Sequence, residues 1–93
     1  MDPTIMINER VDVVVVYRAD SDITTLAVPH KMQWRAREVT FTRLALRHPT
    51  TKGRRMIHVF DVSDGENDYR LEFDAERLTW TLVAMIPARE WGS

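Results

Sequence analysis

A chain of 93 residues with 44% hydrophobic and 29% charged side chains has the size and composition of one small globular domain. Its formal net charge of −1 excludes indiscriminate binding of polyanions by the whole surface. The absence of cysteine excludes disulfides and thiolate metal sites, and no apolar run approaches the roughly 20 residues of a membrane span. Residues 1–9 do not form a signal peptide, so we expect a cytoplasmic location.

The first part of the chain predicts strands joined by polar connections. Residues 1–8 are expected to form a flexible arm, and the β-branched run 11–17 predicts a strand covered on both faces. Residues 18–25 are polar and predict a turn or a short helical turn. The alternation over residues 28–34 predicts an edge strand, because Pro29 stands near its start.

The longest predicted strand, residues 37–48, changes the phase of its alternation. Val39 and Phe41 share one parity, whereas the next apolar residues, from Leu44 on, have the other. A β-bulge near Thr42 returns all of them to one face. Because long bulged strands let small sheets bend over themselves, this pattern favours a curled sheet over a flat one.

Residues 55–86 predict a three-stranded antiparallel meander. Asp64-Gly65 marks its first turn. A two-residue loop there pairs Phe60 with Tyr69, and a four-residue loop pairs Phe60 with Leu71; both place apolar residues opposite each other, so both stay open.

The second turn of the meander allows a single choice. A four-residue loop over 75–78 places Phe73 opposite Trp80 and Leu71 opposite Leu82. The sequence as a whole therefore predicts one all-β domain over residues 9–87. Its fold is about six antiparallel strands in a strongly bent meander, with a small, partly open barrel as the compact form, followed by a flexible tail over 88–93.

Three segments of this pattern resemble a known kind of domain. They are residues 32–39 (Met-Gln-Trp-Arg-Ala-Arg-Glu-Val), residues 68–71 (Asp-Tyr-Arg-Leu) and residues 79–82 (Thr-Trp-Thr-Leu). Together they resemble small uncharacterised bacterial β domains with a Trp-x-Gly-Arg-x-Tyr-like strand and a closing Tyr-x-Leu … Trp-x-Leu pair of strands. Ala36 stands where those domains have glycine. The resemblance implies a compact β domain and carries no assigned activity.

The charges are divided along the chain. Residues 28–60 contain eight Lys or Arg against the single acid Glu38, whereas residues 61–77 contain seven Asp or Glu against Arg70 and Arg77. A basic loop over 47–55, beside an exposed aromatic ring, is suited to grip phosphates while the ring stacks on a base. The alternative is that these cations pair with acids on neighbouring strands. The candidate nucleic-acid-binding residues, with Lys31 beside them, are Arg35, Arg37, Arg43, Arg47, Lys52, Arg54 and Arg55.

No constellation predicts catalysis, a metal or a cofactor. The acidic segment 61–68 lacks the calcium-loop pattern and is explained by the turn chemistry of Asp-Gly and Asn. His30, His48 and His58 lack the spacing of zinc ligands, and His58 is expected in the core with a backbone hydrogen bond. No serine stands in a nucleophile motif.

Two binding functions therefore remain open, and a third interpretation, an enzyme or small-molecule carrier, requires a cavity that a barrel of this size is expected to fill with side chains. The first is a non-enzymatic domain that binds nucleic acid or another polyanion through the basic loop. The alternative is a protein-interaction or self-assembling β module, a homodimer for example, that uses exposed strand edges such as residues 11–17 or 28–34. We expect no membrane partner.

Overall fold

The computed structural model describes residues 4–19 and 27–87, and these residues form β-strands and turns. No helix in these two ranges is long and apolar enough to cross a membrane. The predicted turn around residues 20–25 and the predicted tail over 88–93 lie outside the described residues. The strands in chain order are β1 Ile5–Arg10, β2 Asp12–Tyr17, β3 Ala27–Trp34, β4 Arg37–Thr40, β5 Arg43–Lys52, β6 Arg55–Ser63, β7 Asp68–Asp74 and β8 Thr79–Ile86.

The strands form two open sheets. One has five strands in the order β1-β8-β7-β6-β5, and the other has three in the order β2-β3-β4. Every neighbouring pair is antiparallel. The predicted all-β antiparallel meander is confirmed, and neither sheet closes into a barrel.

The phase change after Phe41 marks a passage between the sheets. The Phe41 N–H donates to the His30 carbonyl in the three-stranded sheet at 2.8 Å, whereas the Thr42 N–H donates to the Ser63 carbonyl in the five-stranded sheet at 2.7 Å. The predicted strand over 37–48 is therefore two strands, β4 and β5. The prediction of a β-bulge near Thr42 is wrong. The irregularity in the pairing of β5 with β6 lies between Leu44 and Leu46.

The beginning of the chain also differs from its prediction. Residues 5–8, predicted as part of a flexible arm, belong to β1, which pairs with β8 so that Ile5 lies opposite Met85. Ile7 packs against the core, which gives β1 its apolar side. A single residue, Val11, separates β1 from β2, so the chain again changes sheet almost without a loop. The described residues therefore contain eight strands where about six were predicted, because β1 was missed and the predicted strand over 37–48 divides into β4 and β5.

The meander of β6, β7 and β8 has the predicted register. Phe60 lies opposite Leu71, which selects the four-residue loop, and Leu71 lies opposite Leu82. Phe73 lies opposite Trp80, as the second loop requires. These cross-strand pairs carry the apolar face of the sheet, and aromatic pairs of this kind contribute about 0.2–1 kcal/mol each.

The core lies between the two sheets. Leu71 and Leu82 are fully buried, and burial of such a side chain stabilises a fold by about 1.5–3 kcal/mol. Tyr69 is buried beside them, and its ring meets the ring of Trp34 edge-on at 6.5 Å. The buried apolar cluster comprises Met32, Trp34, Val39, Phe41, Phe60, Val62, Tyr69, Leu71 and Leu82. Binding surfaces must therefore lie on the outer faces, the sheet edges or the ends of the molecule.

Candidate binding surfaces

The predicted basic loop over 47–55 is mostly a strand. β5 continues to Lys52, which pairs with Arg55, so the loop proper is Gly53-Arg54. Gly53 has a φ of 65°, a conformation that a two-residue hairpin turn requires and that glycine adopts without strain. Because strand side chains alternate between faces, the cations of this segment do not form one patch.

Acidic partners engage three of the predicted nucleic-acid-binding residues. Lys52 Nζ lies 2.8 Å from Glu72 Oε1, and Arg55 Nη1 lies 2.9 Å from Asp74 Oδ2 across the outer face of the five-stranded sheet. Arg35 forms a bidentate pair with Glu9. These pairs neutralise part of the charge division seen in the sequence, whereas Arg43 and Arg54, which the alternative interpretation also paired with acids, form no ion pair within the described residues.

Cross-strand pairing extends to other cations of the sequence. Arg70 pairs with Asp61 at 2.8 Å, and Lys31 pairs with Glu38 at 3.2 Å. These contacts are exposed, so each one contributes little to stability but removes a cation from the set available to an external anion.

Arg47 faces the core side of its sheet. Its guanidinium carbon lies 5.7 Å from the centre of the Phe60 ring, and its Nη2 lies 3.4 Å from His58 Nδ1. His58 shares the apolar face as expected, but its contact is with this side chain and not with backbone. Partial burial and then the charge of Arg47 lower the pKa of His58. A row of rings continues from His58 to Phe73 and Trp80, with Phe73 and Trp80 centred 4.8 Å apart.

Arg35 and Arg37, two of the predicted binding residues, lie against Trp34 at the turn between β3 and β4. The guanidinium carbons of Arg35 and Arg37 lie 5.0 Å and 5.8 Å from the centre of the Trp34 ring. Glu9 accepts the indole N–H of Trp34 at 3.1 Å, and the hydrogen bond from Arg35 lowers the pKa of Glu9. Arg35 and Ala36 both have positive φ angles, 51° and 62°, which residues other than glycine and asparagine rarely adopt.

The aromatic rings proposed to stack on a base are buried. Trp34 and Phe41 are each 7% exposed, which leaves neither ring a free face. The predicted combination of a basic loop with an exposed ring therefore does not occur at Trp34 or Phe41.

Asp64, at the acidic tip of the β6–β7 hairpin, accepts hydrogen bonds from its own turn. Asp64 Oδ1 accepts the N–H groups of Glu66 and Asn67 at 2.8 Å and 2.7 Å, and Oδ2 accepts the Tyr69 hydroxyl at 2.9 Å. Burial acts to raise the pKa of Asp64, but these hydrogen bonds outweigh it and lower the pKa. Over residues 4–19 and 27–87, no three His, Asp or Glu side chains are grouped to hold a metal.

A cleft opens beside the passage from β4 to β5. Its volume is about 470 Å³, and its basic lining comes from three separate segments: Arg18 after β2, His30 in β3 and Arg43 at the start of β5. Pro29 and Phe41 form buried apolar parts of its lining. No acidic residue is among the described residues that line it. The sequence predicts Arg43 as a binding residue but places Arg18 in a connection, because no local pattern links these distant segments.

The free edge of β2 is the most apolar edge in the structure. In the described part of the chain β2 pairs with β3 alone, and residues 13–17 are four valines and a tyrosine. Val14, Val16 and Tyr17 are 48%, 41% and 70% exposed. Natural edge strands usually carry charge or proline against unwanted pairing, as β5 does with Pro49 and Lys52.

Comparison with known proteins adds no identity to this geometry. No family model, no curated protein and no solved structure matches the chain at a significant level. The resemblance of residues 32–39 and the closing strands to small bacterial β domains stays an observation on the sequence. The function must therefore be argued from the surfaces themselves.

Proposed function

We propose that this chain is a non-enzymatic interaction domain that self-associates through the free edge of β2. The observation that carries the proposal is the uncharged run of residues 13–17 on an open edge, in which Val14, Val16 and Tyr17 are exposed. A strand edge presents unpaired N–H and C=O groups, and apolar side chains on that edge favour addition of another strand.

The sequence around β2 indicates that the added strand is a second copy of β2. An antiparallel pair centred on Val15 places Val14 opposite Val16 of the second copy. The same register places Asp12 opposite Arg18 at both ends of the pair. Acid then faces base and apolar faces apolar, which are the favourable cross-strand combinations. A two-fold contact of this kind joins the two three-stranded sheets into one continuous sheet.

Self-association is tested by sedimentation or light scattering of the full chain over a wide concentration range. We expect dimers, and Val14→Lys should weaken the dimer by about tenfold or more, because it places a charge within the apolar pair. Met6→Lys is the matched control, since Met6 is exposed on β1 away from this edge and its substitution should leave association unchanged. A chain that stays monomeric at high concentration contradicts the proposal.

The proposed register has a separate test by charge exchange. Asp12→Arg and Arg18→Asp should each weaken the dimer, because each places like charges opposite each other. The double variant Asp12→Arg/Arg18→Asp should recover association, because the opposite charges meet again in exchanged positions. Recovery fails if the chains pair in another register.

Binding of nucleic acid or another polyanion is the second candidate function. It is favoured by Arg37, Arg43 and Arg54, which form no ion pair within the described residues. If the β5–β6 hairpin binds phosphates, Lys52/Arg54/Arg55→Ala should reduce the dependence of affinity on salt by about one unit of slope for each lost contact. The absence of any affinity for DNA or RNA at low salt contradicts this function.

A further inference from the structure

We infer that the cleft lined by Arg18, His30 and Arg43 binds a phosphate group. The inference does not require self-association, although Arg18 also takes part in the proposed β2 pair, and it concerns a different surface from the β5–β6 hairpin. Three basic side chains reach this cleft from three parts of the chain that only the fold brings together. Their convergence therefore results from tertiary structure and not from a local run of charges.

Electrostatics separates this cleft from the other basic regions. Lys52, Arg55 and Arg70 each have a carboxylate within 3 Å on another strand of the same sheet. Neither Arg18 nor Arg43 takes part in an ion pair within residues 4–19 and 27–87. The positive charge of the cleft is thus left for an external anion, which the neutralised sheet face does not offer.

Asp64 of the β6–β7 turn does not cancel that charge. The carboxylate of Asp64 is occupied by two backbone N–H groups and by the Tyr69 hydroxyl. These donors stabilise its negative charge within the turn. The fold therefore keeps the acid of the β6–β7 hairpin directed to its own backbone while the basic cleft lies beside the β4–β5 passage.

The chemistry of the lining fits phosphate in particular. Guanidinium groups present several N–H donors in a planar fork that matches two phosphate oxygens, and a histidine ring adds one more donor. The volume of about 470 Å³ exceeds that of a phosphate ion and falls within the range of small-molecule sites. Val16, which is 41% exposed, and the half-buried Val28 and Leu44 supply apolar surface beside the charged groups. A phosphate ester with an organic group attached therefore fits better than free phosphate.

Such an ester has two sources, a free nucleotide and a nucleic-acid strand. The experiment titrates the full chain with inorganic phosphate, adenosine monophosphate and short oligothymidylate, and it follows heat or amide chemical shifts. We expect adenosine monophosphate to bind more tightly than inorganic phosphate if the site accepts a free nucleotide. Oligothymidylate should be the tightest ligand, with the same dependence on the cleft residues, if the source is a strand.

Two arginine variants decide where the phosphate binds. Arg43→Gln should weaken binding of the preferred ligand by at least about tenfold, because it removes one charged, bidentate donor. Arg54→Gln is the matched control, since it removes the same charge from an exposed turn and should change affinity less than twofold. Loss of binding in Arg54→Gln with retention in Arg43→Gln overturns the inference, as does the absence of binding by all three ligands.

Arg18 and Val16 belong both to the proposed dimer contact and to the cleft, so an effect on dimerisation has to be distinguished from an effect on phosphate binding. The titration is therefore repeated in Val14→Lys, which removes the apolar pairing but leaves the cleft lining intact. Retained binding in that variant supports a site built within one chain. Binding that disappears with Val14→Lys but survives in Arg43→Gln overturns the cleft.

Discussion

The two sheets satisfy their polar groups in different ways. The five-stranded sheet does so internally: cross-strand ion pairs cover its outer face, and Asp64 organises the β6–β7 turn. The three-stranded sheet depends on its neighbour. Its β3–β4 turn is held by Glu9 from β1, and its β2 edge is left without a partner in the described residues.

The difference teaches where to look for function. Part of the charge that stands out in the sequence is neutralised by ion pairs between strands. The surfaces left for a partner are the uncharged β2 edge and the cleft between the sheets, neither of which stands out in the sequence as a run of charge. A high local charge density in a β protein is therefore weak evidence of an anion site until the neighbouring strand is known.

The largest expected effect comes from breaking the internal polar network of the five-stranded sheet. Asp64→Ala removes the acceptor of two backbone N–H groups and of the buried Tyr69 hydroxyl. We expect the free energy of unfolding to fall by about 2 kcal/mol, measured by denaturant unfolding. Glu66→Ala in the same turn is the control and should change stability by less than about 0.5 kcal/mol. Equal effects of the two variants would contradict the role of Asp64.

The second largest effect is expected from removing the backbone strain of the β3–β4 turn in the three-stranded sheet. Ala36→Gly places glycine at a φ of 62° and should raise the free energy of unfolding by about 1 kcal/mol, as measured by thermal or denaturant unfolding. Ala75→Gly is the matched control, because Ala75 lies in the β7–β8 turn and is absent from the positive-φ residues. It should destabilise by about 0.5–1 kcal/mol. A loss of stability in Ala36→Gly would show that the turn is not strained.

A smaller effect is expected from the ion pairs themselves. A double-mutant cycle with Lys52→Ala and Glu72→Ala should give a coupling energy of about 0.5 kcal/mol that decreases with added salt. The pair neutralises charge without supplying much stability. A coupling well above 1 kcal/mol would make these cations structural elements and weaken the contrast between the two sheets.

The smallest effect tests the inward orientation of Arg47 through the pH dependence of stability. The folded pKa of His58 lies below its unfolded value, so the unfolded state binds more protons as the pH falls through about 6.5. Stability contributed by neutral His58 is present above this pH and is lost below it. His58→Phe should flatten the decline between about pH 7 and 5 in denaturant unfolding. Arg47→Gln should flatten it in part, and an unchanged slope in both variants would contradict the contact.

Sequence patterns predicted the meander but not the passages between sheets. The pairs Phe73–Trp80 and Phe60–Leu71 follow from strict alternation and a countable turn, since a slip of one residue would turn every side chain over. A bulge and a change of sheet both reverse the alternation after Phe41, so the local pattern cannot separate them. The decision depends on hydrogen bonds to His30 and Ser63, which are distant in sequence.

The binding surfaces were predictable to a smaller extent. The β2 edge was predicted as one possible interface, but the same run was also predicted to be covered on both faces, whereas Val14, Val16 and Tyr17 are exposed. The other predicted edge, residues 28–34, lies in β3, the middle strand of its sheet, so that prediction is wrong. Glu72 pairs with Lys52, which lies two strands away in the sheet order and cannot be assigned from the register of one hairpin. The cleft was missed because Arg18 contributes to it from a connection, where neither periodicity nor spacing carries information.

The pairing of β1 with β8 has a consequence for the nascent chain on the ribosome. β1 precedes the other seven described strands in the chain, but its partner β8 follows all of them. The hairpins of β5, β6 and β7 can form as they emerge, before β8 is available to pair with β1. Synthesis thus includes an interval in which the edge of β1 that β8 later occupies is open to pairing with another chain.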